Sequence, residues 1–436
     1  MDELLTPTEM TQADAQAGNL EVLIAAAGWS VARAVMQHYA PCRTLVLTGP
    51  GHNGADGIAA AGHLRNSGWH VKTLPYQQAT AQDTARAELV IDAVFGAGLS
   101  RDLPSSLAET LRAARRLVAV DVPSGLDGAT GQIRGFAPPA ELTVTFFRAK
   151  PGHYLYPGRA LCGELLLRDI GLPATVLEHI APQTCRNTPS LWALPVRAAT
   201  AHKYTNGNVT VLCGPLPGAA RLACAAARRA GAGMVTLAAD TPMLLPESGL
   251  ILRTDPLPAL LQDPRRAVWI CGPGLGPDAG EKLALLIAAQ RTVVADADAL
   301  TACAGAPEKL RGTTLITPHA GEFARLFGTT GSDKLAAARA AAELTGAVTI
   351  LKGPDTIIAA PDGRAAINSN APPWLATGGT GDVLSGIAAA LLAQSMPPFE
   401  AACAAVWLHG AAAQKSGPGL LAEDLPEHLP PLMAAI

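Results

Sequence analysis

Residues 44–66 read TLVLTGPGHNGADGIAAAGHLRN. A β-branched apolar run gives way to a glycine-rich turn and then to an Ala-rich helical stretch. Strand, Gly-rich turn and helix in this order is the arrangement used for dinucleotide binding in open parallel sheets. The turn, GPGHNGADG (49–57), is not G-x-G-x-x-G, so spacing does not by itself separate a ligand loop from a tight turn. The polar residues inside it, Asn53 and Asp56, are what mark it as more than a turn.

Outward from this unit, short β-rich runs alternate with Ala-rich helical stretches. Strands are expected at Thr44–Thr48, His70–Leu74, Leu89–Val94, Leu117–Asp121, Leu142–Phe147 and Glu164–Arg168. Such alternation predicts a parallel, doubly wound α/β sheet covered on both faces. A second series begins near Asn208 with VTVLCG, MVTLAAD, AVWICG, TVVAD, TLITP, AVTILKG and TIIAAP. Between the two lies APQTCRNTPSLWALPVRAAT, polar and Pro-marked, which reads as a linker. The expected division is residues 1–185, a linker 186–204, and 205–436.

Composition sets the bounds. With 436 residues, nearly half of them apolar, the chain can build two or three cores. A net charge of −3 and no basic run leave no electrostatic footprint for nucleic acid or a membrane surface. The opening MDELLTPTEM is acidic and lacks an apolar signal region, and no apolar run approaches the roughly 20 residues of a spanning helix. Eight cysteines (42, 162, 185, 213, 224, 271, 303, 403) are scattered without C-x-x-C, as buried thiols in a reducing cytoplasm are.

Two further strand ends match the first. Leu89–Val94 runs into FGAGLSRDL (95–103), with Asp92 near its tip. Leu117–Asp121 runs into VPSGLDGATG (122–131), with Asp121 and Ser124 at the turn. Ligands bind outside the carboxyl ends of parallel strands, so three neighbouring ends converge on one crevice. The competing reading is that Asp121 and Asp127 only cap turns.

Near the other end, ATGGTGDVLSG (376–386) places a Gly turn before a small-residue helix. Free N–H groups at a helix start form an anion site, and glycine lets backbone approach a phosphate. Asp382 beside it suits deprotonation of a hydroxyl attacking that phosphate. Read alone, the stretch also permits a plain loop with Asp382 as an N-cap.

The motifs GPGHNGADG, DAVFGAGLSRDL, AVDVPSGLDGATG and AKPGHYLYPGRALCGELLLRDIGLP, with the opening TPTEMTQADAQ and LEVLIAAAGWSVAR, resemble the epimerase domain of the NAD(P)H-hydrate repair family. The resemblance implies a Rossmann-like domain that epimerises the hydroxyl-bearing C6 of hydrated NADH or NADPH. It makes Asp121 the catalytic carboxylate and Asn53, Asp92 and Ser124 ligands of a potassium ion. It puts the substrate on His52, Asn53, Gly54, Ala55 and Asp56, and on Gly96, Ala97, Gly98, Leu99, Ser100, Arg101 and Asp102. Loss and return of a hydroxyl beside a ring nitrogen needs one positioned acid/base, and a carboxylate stabilises the iminium formed. The family's N-N-G-G-D appears here as His52-Asn53-Gly54-Ala55-Asp56, so the turn must accept a Cβ at Ala55.

From residue 202 the motifs HKYTNGNVTVLCG, PGAARLACAAARRAGAGMVTLA, CGPGLG, VVADADAL, ITPHAGEFARLFG, ILKGPDTIIAAPDG and NSNAPPWLATGGTGDVLSG run collinearly. Together they resemble the dehydratase domain of the same family, which implies a ribokinase-like α/β fold. Only the stretch between Asp240 and Val268 is short and poorly matched. The resemblance puts a nucleotide, ADP with magnesium as counter-ion, on Lys352, Gly353, Pro354, Asp355, Thr356, Gly378, Gly379, Thr380 and Gly381. It puts the hydrate on Ala219, Gly276 and His319, with Asp382 as the base. Phosphorylation then makes the C6 oxygen a good leaving group. NADHX, NADPHX and ADP are the expected partners, and a large homo-oligomer would suit the family.

Other features have plainer readings. His319 and Glu322 have the H-x-x-E spacing of a metal pair, but with no third ligand a substrate contact is expected. Of Asp296 and Asp298, one should face the site. His409 reads as a satisfied helix residue, and His153 as a turn residue with no evident partner. Two alternatives to a two-site repair enzyme stand: a ribokinase-like small-molecule kinase, and a dehydratase with a non-catalytic N-terminal binding domain.

Overall fold

The computed structural model describes residues 2–16 and 18–436. The chain divides into two compact units, Met1–Cys185 and Arg186–Ile436.

The first unit is built on six parallel strands: β1 (Arg43–Thr48), β2 (His70–Pro75), β3 (Leu89–Ala93), β4 (Leu117–Val120), β5 (Leu142–Phe146) and β6 (Glu164–Arg168). Their order is β2-β1-β3-β4-β5-β6. Because β1 lies between β2 and β3, the chain winds one way and then the other, and a crevice opens beyond the carboxyl ends of β1 and β3. Alternate residues serve opposite faces of a strand. Val46, Ile91, Val118 and Val144 pack with the helices Leu20–His38 and His52–Asn66 on one side. Leu45, Leu47, Val90 and Ala119 pack with the helix Ser105–Arg112 on the other. The inner strands of this group are therefore buried on both faces and dominated by apolar residues, with Asp92, Thr143 and Thr145 among the buried polar exceptions.

The helix Leu20–His38 corrects one expectation. At 19 residues it is long and apolar enough, by composition, to cross a membrane. In this fold Leu23, Ala27, Val31 and Val35 lie in the core of the first unit.

The boundary strand β7 (Thr184–Arg186) is followed by β8 (Asn208–Cys213), β9 (Met234–Ala239), β10 (Ile251–Arg253), β11 (Val268–Cys271), β12 (Thr292–Ala295), β13 (Leu315–Ile316), β14 (Val348–Leu351), β15 (Ile357–Ala359) and β16 (Ala365–Ile367). Those wholly inside the second unit run in the order β10-β9-β8-β11-β12-β13-β14-β15-β16. They are parallel as far as β14, then finish as an antiparallel meander. The helix Thr380–Ala393 is buried along most of its length, which its small side chains permit. Within the stretch 186–204, Asn187 donates to Asn368 Oδ1 and to the Cys403 carbonyl, and Trp192 packs edge-on against Trp407.

Candidate active sites

The crevice of the first unit is a cleft of about 520 Å³. Its apolar wall includes Leu23, Ile24, Phe95 and Leu99; its polar groups include Asp14, His52, Asn53, Asp56, Arg101, Asp121 and Lys150. The glycine turn is shorter than its sequence suggests, because the helix begins at His52 behind an N-cap at Gly51. Ala55 therefore sits in regular helix, its N–H bonded to the Gly51 carbonyl, and its Cβ costs nothing. Gly96, Ala97, Gly98, Leu99, Ser100 and Arg101 line the cleft with His52, Asn53 and Asp56; Gly54, Ala55 and Asp102 do not.

Asp121 follows β4 in a left-handed conformation, φ +67°, which turns it into the cleft. Lys150 Nζ donates to Asp121 Oδ1 at 2.6 Å, Thr145 Oγ1 to the same oxygen at 2.9 Å, and the Ala97 N–H to Oδ2 at 2.9 Å. Burial alone would raise this carboxyl; the Lys150 ammonium outweighs it and holds Asp121 at about 2. His153 is buried with both ring nitrogens used: Nε2 lies 2.8 Å from the Asp121 carbonyl and Nδ1 accepts from the Lys150 N–H at 3.0 Å. It was expected to lack a partner, and instead it braces both members of the pair. Asp127 is the turn cap that the competing reading described, accepting from the Ala129 and Thr130 N–H groups and pairing with Arg134.

Asp92 and Ser124 bond to each other, and Asn53 lies across Gly96 from Asp121. Asp92 is fully buried, accepting from Ser124 Oγ at 2.6 Å, from Ser124 N–H at 2.8 Å and from Val94 N–H at 3.3 Å. The Phe95 N–H donates to Ser124 Oγ. The Asn53 amide nitrogen is buried with no partner. Gly96 separates Asn53 from Asp121: a Cβ there would stand 3.0 Å from Asp121 Oδ2 and 3.6 Å from Asn53 Oδ1.

In the second unit the glycine turn and the strand ends also meet. Gly379, φ +89°, is the N-cap of the helix Thr380–Ala393. Thr380 Oγ1 donates to the Leu375 and Thr377 carbonyls and so closes the turn on itself. Lys352, just beyond β14, donates to Asp296 Oδ1 at 2.9 Å and stands 3.9 Å from Glu322 Oε2. Ser385 Oγ donates to Asp296 Oδ2 at 2.9 Å. Gly381 faces this cluster; a Cβ on it would lie 3.3 Å from Lys352 Nζ. Asp382, in the first helical turn, is pushed up to about 6 by burial and by Asp296 and Asp298, against the pull of Lys352. Lys352 itself is raised: burial opposes its charge, and the surrounding carboxylates prevail.

Both aspartates of the 296–298 pair face the site, where one was expected to. Asp298 accepts from the Gly276 N–H at 2.8 Å and also acts on Asp382. Gly276 and the half-buried Ala219, near the start of the helix Pro217–Arg229, lie at this end of the sheet. The H-x-x-E spacing is explained by a helix cap. His319 Nδ1 accepts from the Gly321 and Glu322 N–H groups while Glu322 accepts from the His319 N–H. Within 352–356, Asp355 is buried against Lys334 and Thr356 Oγ1 donates to the Gly353 carbonyl across Pro354, so these side chains hold the turn. His409 corrects an expectation too: it is buried with Nε2 unpartnered, and burial lowers it to about 4 despite a hydrogen bond with the Thr380 backbone.

No group of three or more His, Cys, Asp or Glu side chains that could cage a metal exists among the described residues. Lys150, His153, Asp14 and Ser385 are site residues that sequence reading did not assign. The first two lie in the AKPGH run at 149–153, whose sequence does not name their partner.

A family model described as NAD(P)H-hydrate dehydratase matches residues 209–430, and one described as YjeF-related protein N-terminus matches 20–85 and 74–152. The bifunctional NAD(P)H-hydrate repair enzyme Nnr of Moorella thermoacetica is 35% identical over 98% of this chain and 96% of its own. The protein of that name from Mycobacterium tuberculosis is 39% identical over 83% of this chain and 80% of its own. Among solved structures, a ribokinase-like superfamily protein of Enterococcus faecalis superposes with a TM-score of 0.50 at 26% identity, over 56% of this chain and 92% of its own.

Proposed function

This chain belongs to the bifunctional NAD(P)H-hydrate repair enzyme family, and from that premise we propose that its two crevices carry the two halves of one repair. The first interconverts the R and S forms of NADHX and NADPHX. The second dehydrates the S form to NAD(P)H at the expense of ADP, giving AMP and phosphate. The observation that carries this reading is that each unit holds its own carboxylate site at the carboxyl ends of its strands. Asp121 stands against Lys150 in one; Asp382 stands behind a glycine turn in the other.

In the first crevice Asp121, kept ionised by Lys150, stabilises the cation that forms when the hydroxyl leaves C6. Apolar side chains take the nicotinamide ring. Asn53, Asp92 and Ser124 would hold a potassium ion. Their oxygens are the hard donors such an ion takes, and the Asn53 amide nitrogen, buried without a partner, does not tie the amide to another group. The ion would supply a fixed positive charge that ties the loops of β1, β3 and β4 together.

In the second, Lys352–Thr356 and Gly378–Gly381 take the nucleotide. Lys352 supplies charge and the helix start supplies N–H groups to the transferred phosphoryl. Asp382, poised near neutrality, removes the C6 hydroxyl proton as its oxygen attacks the β-phosphorus of ADP. Elimination of phosphate then restores the dihydronicotinamide. Ala219, Gly276 and His319 contact the hydrate. Magnesium would come with the nucleotide, held by its phosphates and at most one or two carboxylates. Residues 1–185 form the epimerase domain and 205–436 the dehydratase domain, with 186–204 joining them. All eight cysteines are free, which supports a reducing, cytoplasmic setting. A homo-oligomer remains our expectation from the family.

The test is recovery of dihydronicotinamide absorbance from a mixed R/S NADH hydrate with ADP, with ATP, or with neither. Complete recovery only with ADP fits both sites working. Recovery that stalls when the S form is exhausted would reduce the first unit to a binding domain. No recovery with either nucleotide would overturn the repair reading in favour of a small-molecule kinase.

A further inference from the structure

Three carboxylates from three separate elements face the first cleft. Asp14 comes from the helix Pro7–Ala15, Asp56 from the helix His52–Asn66, and Asp121 from the end of β4. The other charged or titratable groups lining it are His52, Arg101 and Lys150. Lys150 is committed to Asp121 at 2.6 Å. The Asp56 side chain has no hydrogen-bond or ion-pair partner among the described residues, and the residue is only 8% exposed. A carboxyl group so placed, with two others near it and the one close ammonium already engaged, keeps its proton. Burial first, then Asp121 and Asp14, push it up to about 8 against the pull of Lys150. Asp14 is raised as well, chiefly by burial and further by Asp121, with Lys150 and His52 opposing.

Epimerisation by loss and return of a hydroxyl needs two different groups: an anion for the cation that forms, and an acid for the oxygen that leaves. Asp121 is suited to the first and, held at about 2, cannot supply the second near neutral pH. We propose that Asp56 is the proton donor of the first cleft, delivering its carboxyl proton to the C6 hydroxyl of the hydrate. This rests on the epimerase reading of that cleft. The nitrogen lone pair forms the N1=C6 bond, the C6–O bond breaks, and the oxygen leaves as water with the proton from Asp56. Water then adds to the opposite face of C6, the N1=C6 pair returns to nitrogen, and the surplus proton goes back to the Asp56 carboxylate. No oxidant, reductant or nucleotide enters, and the acid is regenerated.

The experiment uses the full chain and pure R-NADHX without ADP, following the R/S ratio by chromatography across pH. Wild type should slow as pH rises through about 8, where Asp56 loses its proton. Asp56→Asn should be about 100-fold slower in kcat and lack that limb; Asp56→Glu should recover part of the rate with the limb shifted. Dehydration of S-NADHX by the same preparations, and binding of the hydrate to the variant, report that both units are folded. Independently, infrared difference spectra of ligand-free wild type should show a protonated-carboxyl band that grows as pH falls through about 8 and is missing in Asp56→Asn. An Asp56→Asn enzyme with near wild-type kcat and an unchanged limb, or one that retains the band, would overturn the proposal while leaving the epimerase reading intact. Wild type that cannot interconvert R and S would remove both.

Discussion

Lys150 Nζ lies 2.6 Å from Asp121 Oδ1, and the lysine side chain is 3% exposed. Lys150 has no bulk water to fall back on, and Asp121, 16% exposed, has little, so each depends on the other. Lys150→Met leaves the carboxylate buried without its cation. Burial then governs, the carboxyl rises from about 2, and the anion in the cleft is lost. Breaking such a pair from one side costs about 3–5 kcal/mol. Denaturant unfolding of the first unit should shift by that order, and R-to-S interconversion should fall by about two orders of magnitude. ADP-dependent dehydration of pure S form should persist. A variant with normal epimerisation would mean that Asp121 needs no counter-charge.

Two buried histidines should each make an acid-sensitive contribution to stability well above the carboxylate range. His153 and His409 are buried, and burial lowers each to about 4. An unfolded imidazole takes its proton near pH 6.5, so between about 6.5 and about 4 the unfolded chain binds protons that the native one refuses. The stability involved is fully present above 6.5 and is lost as pH falls toward 4, on the order of 3 kcal/mol for each group. Asp121, depressed to about 2, adds a further loss only between about 4 and about 2. The raised carboxyls Asp56 and Asp382 bind protons in the folded state over an overlapping range and offset this loss, so the histidine contribution is read by comparison. Between pH 7 and pH 4 wild type should lose more stability, or gain less, than His409→Leu in the second unit, and equal pH dependence of the two would contradict the burial of that ring.

Dehydration should show an acid edge of its own. Asp382 acts as a base only when ionised, and it is raised to about 6. The rate should hold above that pH and drop about tenfold per unit below it. Asp382→Asn should cost about 10²–10⁴ in kcat with ADP affinity, read by calorimetry, largely kept. Lys352 favours the ionised form of Asp382, so Lys352→Met should move the acid limb upward as well as weaken nucleotide binding. A limb that stays near 6 in Lys352→Met would sever the electrostatic link between the two.

Gly379 holds φ +89°, and a Cβ added there would meet Leu222 Cδ1 at 2.7 Å and Ala422 Cβ at 3.0 Å. Gly379→Ala combines backbone strain of about 1–3 kcal/mol with that crowding. It should raise the KM for ADP and lower the stability of the second unit, while epimerisation stays at wild-type rate. Unchanged ADP kinetics would remove the turn from the nucleotide site.

The strands were legible because two-sided burial writes short runs rich in β-branched and apolar residues, and those of the first unit fall within a residue or two of their expected ends. The short strands Ile251–Arg253 and Ala365–Ile367 left no such run and went unseen. Asp121 was visible from its place at a strand tip. Its partner was not, because Lys150 lies 29 residues on and only the adjacency of β4 and β5 brings it back. The exchange of bonds between His319 and Glu322 shows the reverse failure: one local spacing has two physical causes, and sequence cannot choose between a metal pair and a helix cap.

The boundary at Cys185 and Arg186 falls inside a single polypeptide. Under the proposed function, translation therefore fixes the ratio of the two catalysts at one to one. A cell making this chain cannot accumulate the dehydrating half without the half that renews its substrate. Whichever isomer chemical damage produces, the enzyme able to consume it and the one able to convert it rise and fall in abundance together.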